Sequence, residues 1–257
     1  MRIAVITGAS AGLGAEFARQ IAQKAGPEAL DELWLVARGA ERLKQMADAL
    51  PLPCRCFALD LTEEASLREL ACAFAEAEVD IRYLVNNAGY GTQGAFAKVE
   101  EAKLMACLDL NIRALVQLTH MAKPYLSKGS QVFQISSVSA FMPQPNYAVY
   151  ASSKAFVLHF AKALQAEWKR EAIQVVAVCP NLMDTDFCER AEMPAQTLKI
   201  KKLGLEQPER VVRVALRAGQ RGRAVALSSS SGKVLRLLGK LLPHNFILWI
   251  ERILGLY

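Results

Sequence analysis

The sequence predicts a doubly wound α/β domain in which about seven parallel strands form one sheet with helices on both faces. Short runs rich in Val and Ile alternate with longer segments that repeat apolar residues every three or four positions. No internal repeat or Gly/Ser linker divides the 257 residues, so we expect a single domain over 1–257. With 53% hydrophobic and 22% charged residues, the composition excludes a disordered or low-complexity chain.

The strands and helices follow from this alternation. Between the first two strands, Leu13, Phe17 and Ile21 recur every four residues and predict a helix with one face on the sheet. Residues 181–205 lack a period and follow a strand end, so we interpret them as a substrate lid. The predicted strands are 2–6, 33–37, 54–58, 81–85, 131–135, 174–178 and 223–227, and further helices lie near 40–49, 63–77, 99–123, 148–172 and 208–219.

Charge and cysteine usage limit the compartment and the partners. The net charge of +6 is concentrated in residues 199–257, which carry 12 Lys and Arg against 3 Asp and Glu. Such an excess can attract phosphate-bearing ligands, anionic membrane or nucleic acid. We first expect most of these basic residues to form a solvated helical face, and we expect no nucleic-acid partner. The six cysteines form no CxxC pair and lie mostly in apolar runs, which predicts reduced core thiols in a cytoplasmic protein. The sequence contains no uncharged apolar run of about 18 residues, so no membrane span is predicted.

The first predicted strand leads directly into the glycine-rich turn TGASAGLG at 7–14 and then into an amphipathic helix. Glycines permit a tight turn and close approach of a ligand, while the helix start offers unpaired N–H groups to a pyrophosphate. Strand-to-helix turns also use glycine for purely steric reasons. The position after the first strand favours a Rossmann-type dinucleotide site.

Four motifs in order give this chain a resemblance to the short-chain dehydrogenase/reductase family. The turn has the spacing TGxxxGxG, NNAG follows at 86–89, Ser137 lies thirteen residues before Tyr150, and YASSK at 150–154 matches YxxxK. The resemblance implies the catalytic residues Asn111, Ser137, Tyr150 and Lys154, and usually a homodimer or homotetramer. It implies cofactor contacts at Gly8, Ser10, Gly12, Leu13, Gly14, Asp60, Leu61, Asn87, Ala88, Gly89, Tyr150, Lys154, Pro180 and Thr185.

The chemistry of these residues agrees with that resemblance. On a helix, Tyr150 and Lys154 project from one face, and a nearby ammonium favours ionisation of a phenol. Tyr150 is therefore the predicted acid/base, although an isolated Tyr–Lys pair also arises by chance. Ser137 ends a predicted strand and can hold a carbonyl oxygen, whereas Ser136 and Ser139 are competitors or turn formers. Asn111 is either a satisfied core amide or the family's structural and proton-relay residue, or both.

Cofactor choice depends on the end of the second strand. An NAD-binding protein would show a carboxylate there for the ribose 2′-hydroxyl, but the sequence reads Ala37-Arg38. The guanidinium of Arg38 suits a 2′-phosphate, so NADP(H) is predicted, with a merely solvated arginine as the alternative. The family often has a second basic residue in the glycine turn, where this chain has Ala11.

Two further positions have more than one interpretation. Asp60 either contacts the adenine, as the resemblance implies, or caps the helix that follows. Asn181 replaces the glycine that usually follows the proline in the family; it tolerates unusual backbone angles and places a polar group near the nicotinamide.

The C-terminal extension, 232–257, is apolar and basic. It either covers the substrate pocket or a subunit interface, or forms an interfacial element that contacts membrane peripherally. The first interpretation is preferred, because Pro243 breaks the helix and the apolar side is broad enough for burial in protein.

The sequence thus predicts an NADP(H)-dependent oxidoreductase that interconverts a ketone or aldehyde and an alcohol. The substrate is expected to be apolar, resembling a steroid, lipid or acyl chain. A non-catalytic nucleotide-sensing or scaffold protein on the same fold is the alternative. The three histidines have no ligand-spaced partners, so no metal is expected, and no GxSxG elbow indicates a hydrolase.

Overall fold

One parallel sheet organises the computed structural model, which describes residues 1–183 and 205–253. Its strands are β1 Arg2–Thr7, β2 Glu32–Ala37, β3 Cys54–Ala58, β4 Asp80–Asn86, β5 Leu126–Ile135, β6 Gln174–Val178 and β7 Val225–Ala226. Their order in the sheet is β3-β2-β1-β4-β5-β6-β7. After β3 the chain crosses β1 to start β4, so the order reverses between β1 and β4, where α/β sheets bind ligands.

The helices confirm the predicted alternation and refine two of its members. The segment predicted as one helix over 99–123 is two helices joined by a π-helical stretch, Asp109–Ala114. The one predicted over 148–172 ends at Glu167, and a 3₁₀ turn, Trp168–Glu171, follows. The helices are α1 Gly12–Ala29, α2 Ala40–Asp48, α3 Glu64–Glu76, α4 Glu101–Leu108, α5 Leu115–Ala122, α6 Ala148–Glu167, α7 Pro208–Gln220, α8 Ser230–Leu241 and α9 His244–Ile253.

The sheet has an apolar layer on each face, because successive strand residues point to opposite sides. In β1, Ile3 and Val5 join one buried cluster, and Ala4 and Ile6 join the other. Leu13, Phe17 and Ile21 of α1 are buried in the second cluster, as predicted. The strand ends at the carboxyl edge are thereby held in fixed relative positions. Within the described residues, no helix is long and apolar enough to cross a membrane.

The prediction that the cysteines are core thiols is wrong for two of them. Cys107 and Cys179 are buried, but Cys56 and Cys72 are exposed. Cys56 belongs to β3, which lies at one edge of the sheet and has a neighbouring strand on only one side. Cys188 lies outside the described residues.

Candidate active site

The glycine-rich turn after β1 depends on three glycines for two different reasons. Gly8 and Gly12 have φ values of 64° and 55°, a left-handed conformation that glycine adopts without steric cost. A Cβ at Gly14 would clash with the carbonyl oxygen of Gly8. The turn therefore brings backbone close to any ligand at the N-terminus of α1, whose first N–H groups have no partner within the helix.

Thr7 and Asn87 tie this turn to the end of β4. Thr7 Oγ1 donates to Val85 O at 3.2 Å and accepts from the N–H groups of Asn87 and Ala88 at 2.9 and 3.0 Å. The Asn87 side chain donates to Thr7 O at 3.0 Å and to Gly8 O at 3.2 Å. Two of the predicted cofactor residues, Asn87 and Ala88, are thus part of the scaffold of the turn. Thr7 begins the TGxxxGxG spacing, but its role as an anchor was missed, since the sequence does not show which distant backbone groups its hydroxyl contacts.

The second strand ends at an exposed ion pair. Arg38 lies 3.8 Å from Asp60 (Nη1 to Oδ2), and 72% of its side chain is exposed. Asp60 accepts from the backbone N–H and the hydroxyl of Thr62 at 3.0 and 2.7 Å. Partial burial opposes ionisation of Asp60, but the Thr62 hydrogen bonds and Arg38 outweigh it and hold its pKa below the usual value.

The alternative that Asp60 caps the next helix is wrong. Glu63 occupies the N-cap of α3, and no side chain caps it. The Asp60 carboxylate instead closes a turn on Thr62, two residues along. Leu61, between them, packs its side chain into the core. A ligand at this position would therefore meet the backbone of Leu61 rather than its side chain.

Asn111 occupies the π-helical stretch between α4 and α5 and is buried. Its Oδ1 accepts from Tyr90 N at 2.8 Å, and its Nδ2 donates to Tyr90 O at 2.9 Å and to Ser153 Oγ at 3.0 Å. Nδ2 also lies 3.3 Å from the Cys107 sulfur. The core-amide interpretation is confirmed, because the side chain joins the loop after β4 to α6.

Lys154 is a buried cation beside the candidate tyrosine. It is 5% exposed, and its Nζ donates to Ile135 O at 2.9 Å and lies 5.8 Å from the centroid of the Tyr150 ring. Burial lowers the pKa of Lys154 to about 8, although the neighbouring thiols of Cys107 and Cys179 partly oppose the shift. The structure thus brings Tyr150 and Lys154 together on the inner side of α6, as their spacing predicts.

Gly89 lies close to both Lys154 and Asn111. A Cβ at this glycine would lie 3.2 Å from Asn111 Oδ1 and 3.3 Å from Lys154 Nζ. Any side chain here would crowd both polar groups. The absence of side chains at Gly8, Gly14 and Gly89 keeps the β1–β4 switch point clear of them, which fits a dinucleotide lying there.

The three competing serines after β5 have different partners. Ser136 Oγ donates to Lys154 O at 2.7 Å, which anchors α6 to the strand. Ser139 donates its backbone N–H to Ser137 Oγ at 3.2 Å. The Ser137 hydroxyl hydrogen donates to no group within 1–183 and 205–253, so it is available to a carbonyl oxygen.

The base of the predicted lid is held by Glu206, which sequence reasoning missed. Asn181 N donates to Glu206 Oε2 at 2.6 Å, Glu206 N donates to Leu182 O at 2.9 Å, and Met183 pairs with Glu206 in a short parallel bridge. The segment that leaves at Met183 thus returns at the same place. Thr185 and most of the lid lie outside the described residues.

Asn181 does not use the backbone freedom of the glycine it replaces. The φ angle of Asn181 is not positive. Its Nδ2 donates to Ser231 Oγ at 3.2 Å, at the start of α8, and its Oδ1 accepts from Leu182 N. The side chain therefore connects the loop after β6 to the C-terminal extension. Pro180, beside it, is buried and accepts from Val138 N at 3.0 Å.

We also searched the described residues for a set of side chains that could bind a metal ion. Among the residues that the structure describes, no group of three or more His, Cys, Asp or Glu is placed to hold an ion.

Comparison with known proteins identifies the family. The model of the short chain dehydrogenase family matches residues 2–196, so the chain belongs to this family. The chain is 28% identical over 205 residues to an uncharacterized oxidoreductase of Staphylococcus epidermidis, covering 77% of this chain and 87% of that protein. It is 32% identical over 191 residues to sulfoacetaldehyde reductase 2 of Chromohalobacter salexigens, covering 72% and 74%.

Solved structures agree with this assignment. A short-chain dehydrogenase from Sphingobium yanoikuyae in complex with NADPH has a TM-score of 0.78 at 28% identity, covering 93% of both chains. A 3-ketoacyl-(acyl-carrier-protein) reductase from Brucella melitensis complexed with NADH has a TM-score of 0.75 at 24% identity, covering 88% of this chain and 95% of that chain, and shows the same fold. The protein is thus an oxidoreductase of the short-chain dehydrogenase family whose fold binds a nicotinamide cofactor.

Proposed function

We propose that this protein is an NADP(H)-dependent reductase of a ketone or aldehyde, or runs the reverse oxidation, on an apolar substrate. The observation that carries the proposal is the buried Lys154 ammonium, 5.8 Å from the centroid of the Tyr150 ring, at the same sheet edge as the glycine-rich turn. When bound, the nicotinamide supplies or accepts the hydride at the carbonyl carbon.

Tyr150 is the proposed proton donor. Its phenol gives a proton to the carbonyl oxygen in reduction and takes it back in oxidation. Lys154 favours the phenolate because an ammonium within a few ångströms stabilises negative charge more strongly in a site shielded from water. With a pKa of about 8, Lys154 is largely charged near neutral pH and loses this charge in mildly alkaline solution.

Ser137 and Asn111 position the reacting groups. The Ser137 hydroxyl, which donates to no group among the described residues, can donate to the substrate oxygen and hold it for Tyr150. Asn111 holds the loop at Tyr90 against Ser153, which keeps α6 and therefore Tyr150 in place. The proposed proton-relay role of Asn111 is supported by its closeness to Gly89, which also lies near Lys154 Nζ.

Cofactor specificity is assigned to Arg38. The glycine-rich turn and the start of α1 would hold the pyrophosphate, and Gly89 would accommodate the nicotinamide side. Arg38 is exposed and 3.8 Å from Asp60, too far for a short hydrogen bond, so its donors can turn to a 2′-phosphate. Of two solved structures with this fold, one holds NADPH and the other NADH. The choice between the two cofactors must therefore depend on individual residues such as Arg38 and not on the fold.

An apolar substrate is favoured by apolar residues that lie near the candidate site in the sequence. Phe141 and Met142 follow Ser137 along the chain, and Leu182 and Met183 begin the lid. The chain is also 30% identical to a very-long-chain 3-oxoacyl-CoA reductase of Neurospora crassa, over 83% of this chain and 63% of that protein. We further propose a cytoplasmic homo-oligomer.

Fluorescence titration with NADPH and with NADH tests the cofactor proposal. The wild type should bind NADPH more tightly, and Arg38→Ala should weaken NADPH binding roughly ten- to hundredfold while leaving NADH unchanged, since it removes only charge-assisted hydrogen bonds. Lys44→Ala, an exposed residue of α2, is the matched control.

Other results would separate the parts of the proposal. Tighter NADH binding would overturn the role of Arg38 and leave the reductase assignment in place. Failure to bind either nucleotide would overturn the enzyme proposal and put the scaffold function first.

A further inference from the structure

The two C-terminal helices leave large apolar side chains exposed along one face. We call this the C-terminal apolar face; its side chains repeat at helical spacing on each helix and are 39–70% exposed. They account for seven of the twelve exposed large hydrophobic residues of the part of the chain described. The face consists of Val234, Leu237, Leu238 and Leu241 of α8, and Phe246, Trp249 and Ile253 of α9.

The opposite side of the same helices is already attached to the protein. Gly239 of α8 lies against Phe141 so closely that a Cβ there would clash with the Phe141 carbonyl oxygen. Ile247 of α9 is buried, and Arg236 and Leu248 line a cavity of about 580 Å³ between the two helices and the outer side of α6. The exposed face is thus not the side on which these helices dock to their own domain.

The charges beside this face have one predominant sign. Within 230–253, Lys233, Arg236, Lys240 and Arg252 stand against Glu251, a net charge of +3. Burial raises the pKa of Glu251, the one acidic residue among them. A second copy of the chain would bring the same positive charge against this face, whereas an anionic surface complements it.

The aromatic residues of the face have the character of an interfacial anchor. The rings of Phe246 and Trp249 stack with centroids 5.7 Å apart and remain about half exposed. Tryptophan suits the boundary between hydrocarbon and water because it combines a large apolar ring with an N–H donor. Helices of 12 and 10 residues are too short to cross a hydrocarbon core of about 30 Å, so they would lie along its surface.

We propose that the C-terminal apolar face binds an anionic lipid bilayer peripherally. Its apolar side chains enter the boundary between headgroups and acyl chains, and Lys233, Lys240 and Arg252 contact lipid phosphates. Of the two interpretations of the extension, the proposal assigns membrane contact to the apolar face, which the described part of the chain leaves exposed, while the inner side covers a cavity. The binding does not depend on the proposed reaction.

Co-sedimentation with lipid vesicles tests this surface. The wild-type protein should sediment with vesicles of equimolar phosphatidylcholine and phosphatidylglycerol, bind phosphatidylcholine alone at least roughly tenfold more weakly, and be released by high salt. Since this assay needs no cofactor or substrate, its result is independent of the reductase proposal.

Two pairs of substitutions separate the apolar and charged contributions. Leu241→Asn with Trp249→Gln, and separately Lys233→Glu with Arg252→Glu, should each weaken binding to anionic vesicles by roughly tenfold or more. All four side chains are exposed, so the fold should be retained, which circular dichroism would verify. Phe96→Ser is the matched apolar control and Arg170→Glu the charge control; both should bind as the wild type does.

Three results would overturn the proposal. One is a wild-type protein that stays in the supernatant with anionic vesicles. Another is binding that neither pair of substitutions weakens. The third is a wild-type dimer that ignores vesicles and becomes monomeric with Leu241→Asn and Trp249→Gln in sedimentation velocity, because the face would then be a contact between two copies.

Discussion

Two cations at the carboxyl edge of the same sheet have opposite environments. Lys154 is 5% exposed, donates to Ile135 O at 2.9 Å and has a pKa lowered to about 8 by burial. The Arg38 side chain is 72% exposed and faces Asp60 at 3.8 Å. Burial makes the charge of Lys154 costly for folding but strengthens its electrostatic effect on neighbouring groups, which suits a role in proton transfer. Exposure leaves the guanidinium of Arg38 able to bind a ligand at little cost to stability.

The difference follows from where each residue lies in the strand order. Lys154 sits behind the end of β5, a central strand with strands on both sides and α6 packed on its face. Arg38 follows β2, which has only the short edge strand β3 beyond it. A charge at the middle of the sheet loses water on all sides, while one near its edge keeps most of its hydration.

The largest expected effect is that of Tyr150→Phe. Removing the phenolic hydroxyl should lower turnover by about 10²- to 10⁴-fold, since proton transfer to the carbonyl oxygen loses its donor. NADPH affinity should change little, and Arg38→Ala at saturating NADPH should keep near-normal turnover. The measurement is nicotinamide absorbance against a panel of apolar ketones. Retained turnover in the phenylalanine variant would refute the assignment of Tyr150.

Replacing the central cation should separate function from stability. Lys154→Met should reduce turnover strongly but raise the free energy of unfolding at neutral pH by about 1–3 kcal/mol, because a desolvated charge is replaced by an apolar side chain of similar length. The native protein binds fewer protons at this site than the unfolded chain between about pH 8 and 10.5, so wild-type stability gains from Lys154 as pH rises through that window. The variant should lack this gain.

Urea unfolding at neutral pH and near the upper end of that window provides the measurement. Lys44→Met, at an exposed site of α2, is the control and should leave both the stability and its pH dependence unchanged. A Lys154→Met protein that is less stable than the wild type at neutral pH would show that the hydrogen bond to Ile135 outweighs desolvation.

The smallest expected effect is that of Asp60→Asn, which removes the exposed ion pair between Arg38 and Asp60. Asp60→Asn keeps an oxygen for the Thr62 donors and loses only a solvated ion pair, so unfolding free energy should fall by less than about 1 kcal/mol. Because the pKa of Asp60 is lowered on folding, its small stabilisation is present above the unfolded pKa and is lost as pH falls through the folded value. Urea unfolding at neutral and acidic pH would measure this pH-dependent stabilisation. A loss of unfolding free energy of several kcal/mol in the variant would contradict the interpretation of the Arg38–Asp60 pair as solvated and weak.

Much of the fold and the central site could be predicted because the signals are local. Strand composition located all seven strands, although β7 has two residues where five were predicted and β5 extends back to Leu126. The four-residue spacing of Tyr150 and Lys154 places both on one side of α6. By contrast, nothing in the sequence around Asn111 indicates a π-helical stretch, or that Asn111 bonds from it to Tyr90 and Ser153.

Periodicity, turn chemistry and short motifs act over a few residues, so the order of strands and helices, the glycine-rich turn and the Tyr150–Lys154 pair are written in the local sequence. Contacts between distant segments were decided only by the folded chain. The bond from Asn181 to Glu206 joins the base of the lid across 25 residues, and that from Thr7 to the end of β4 spans about 80. The exposure of the C-terminal apolar face is of the same kind: a helix pattern specifies an apolar side, but only packing determines whether that side is covered.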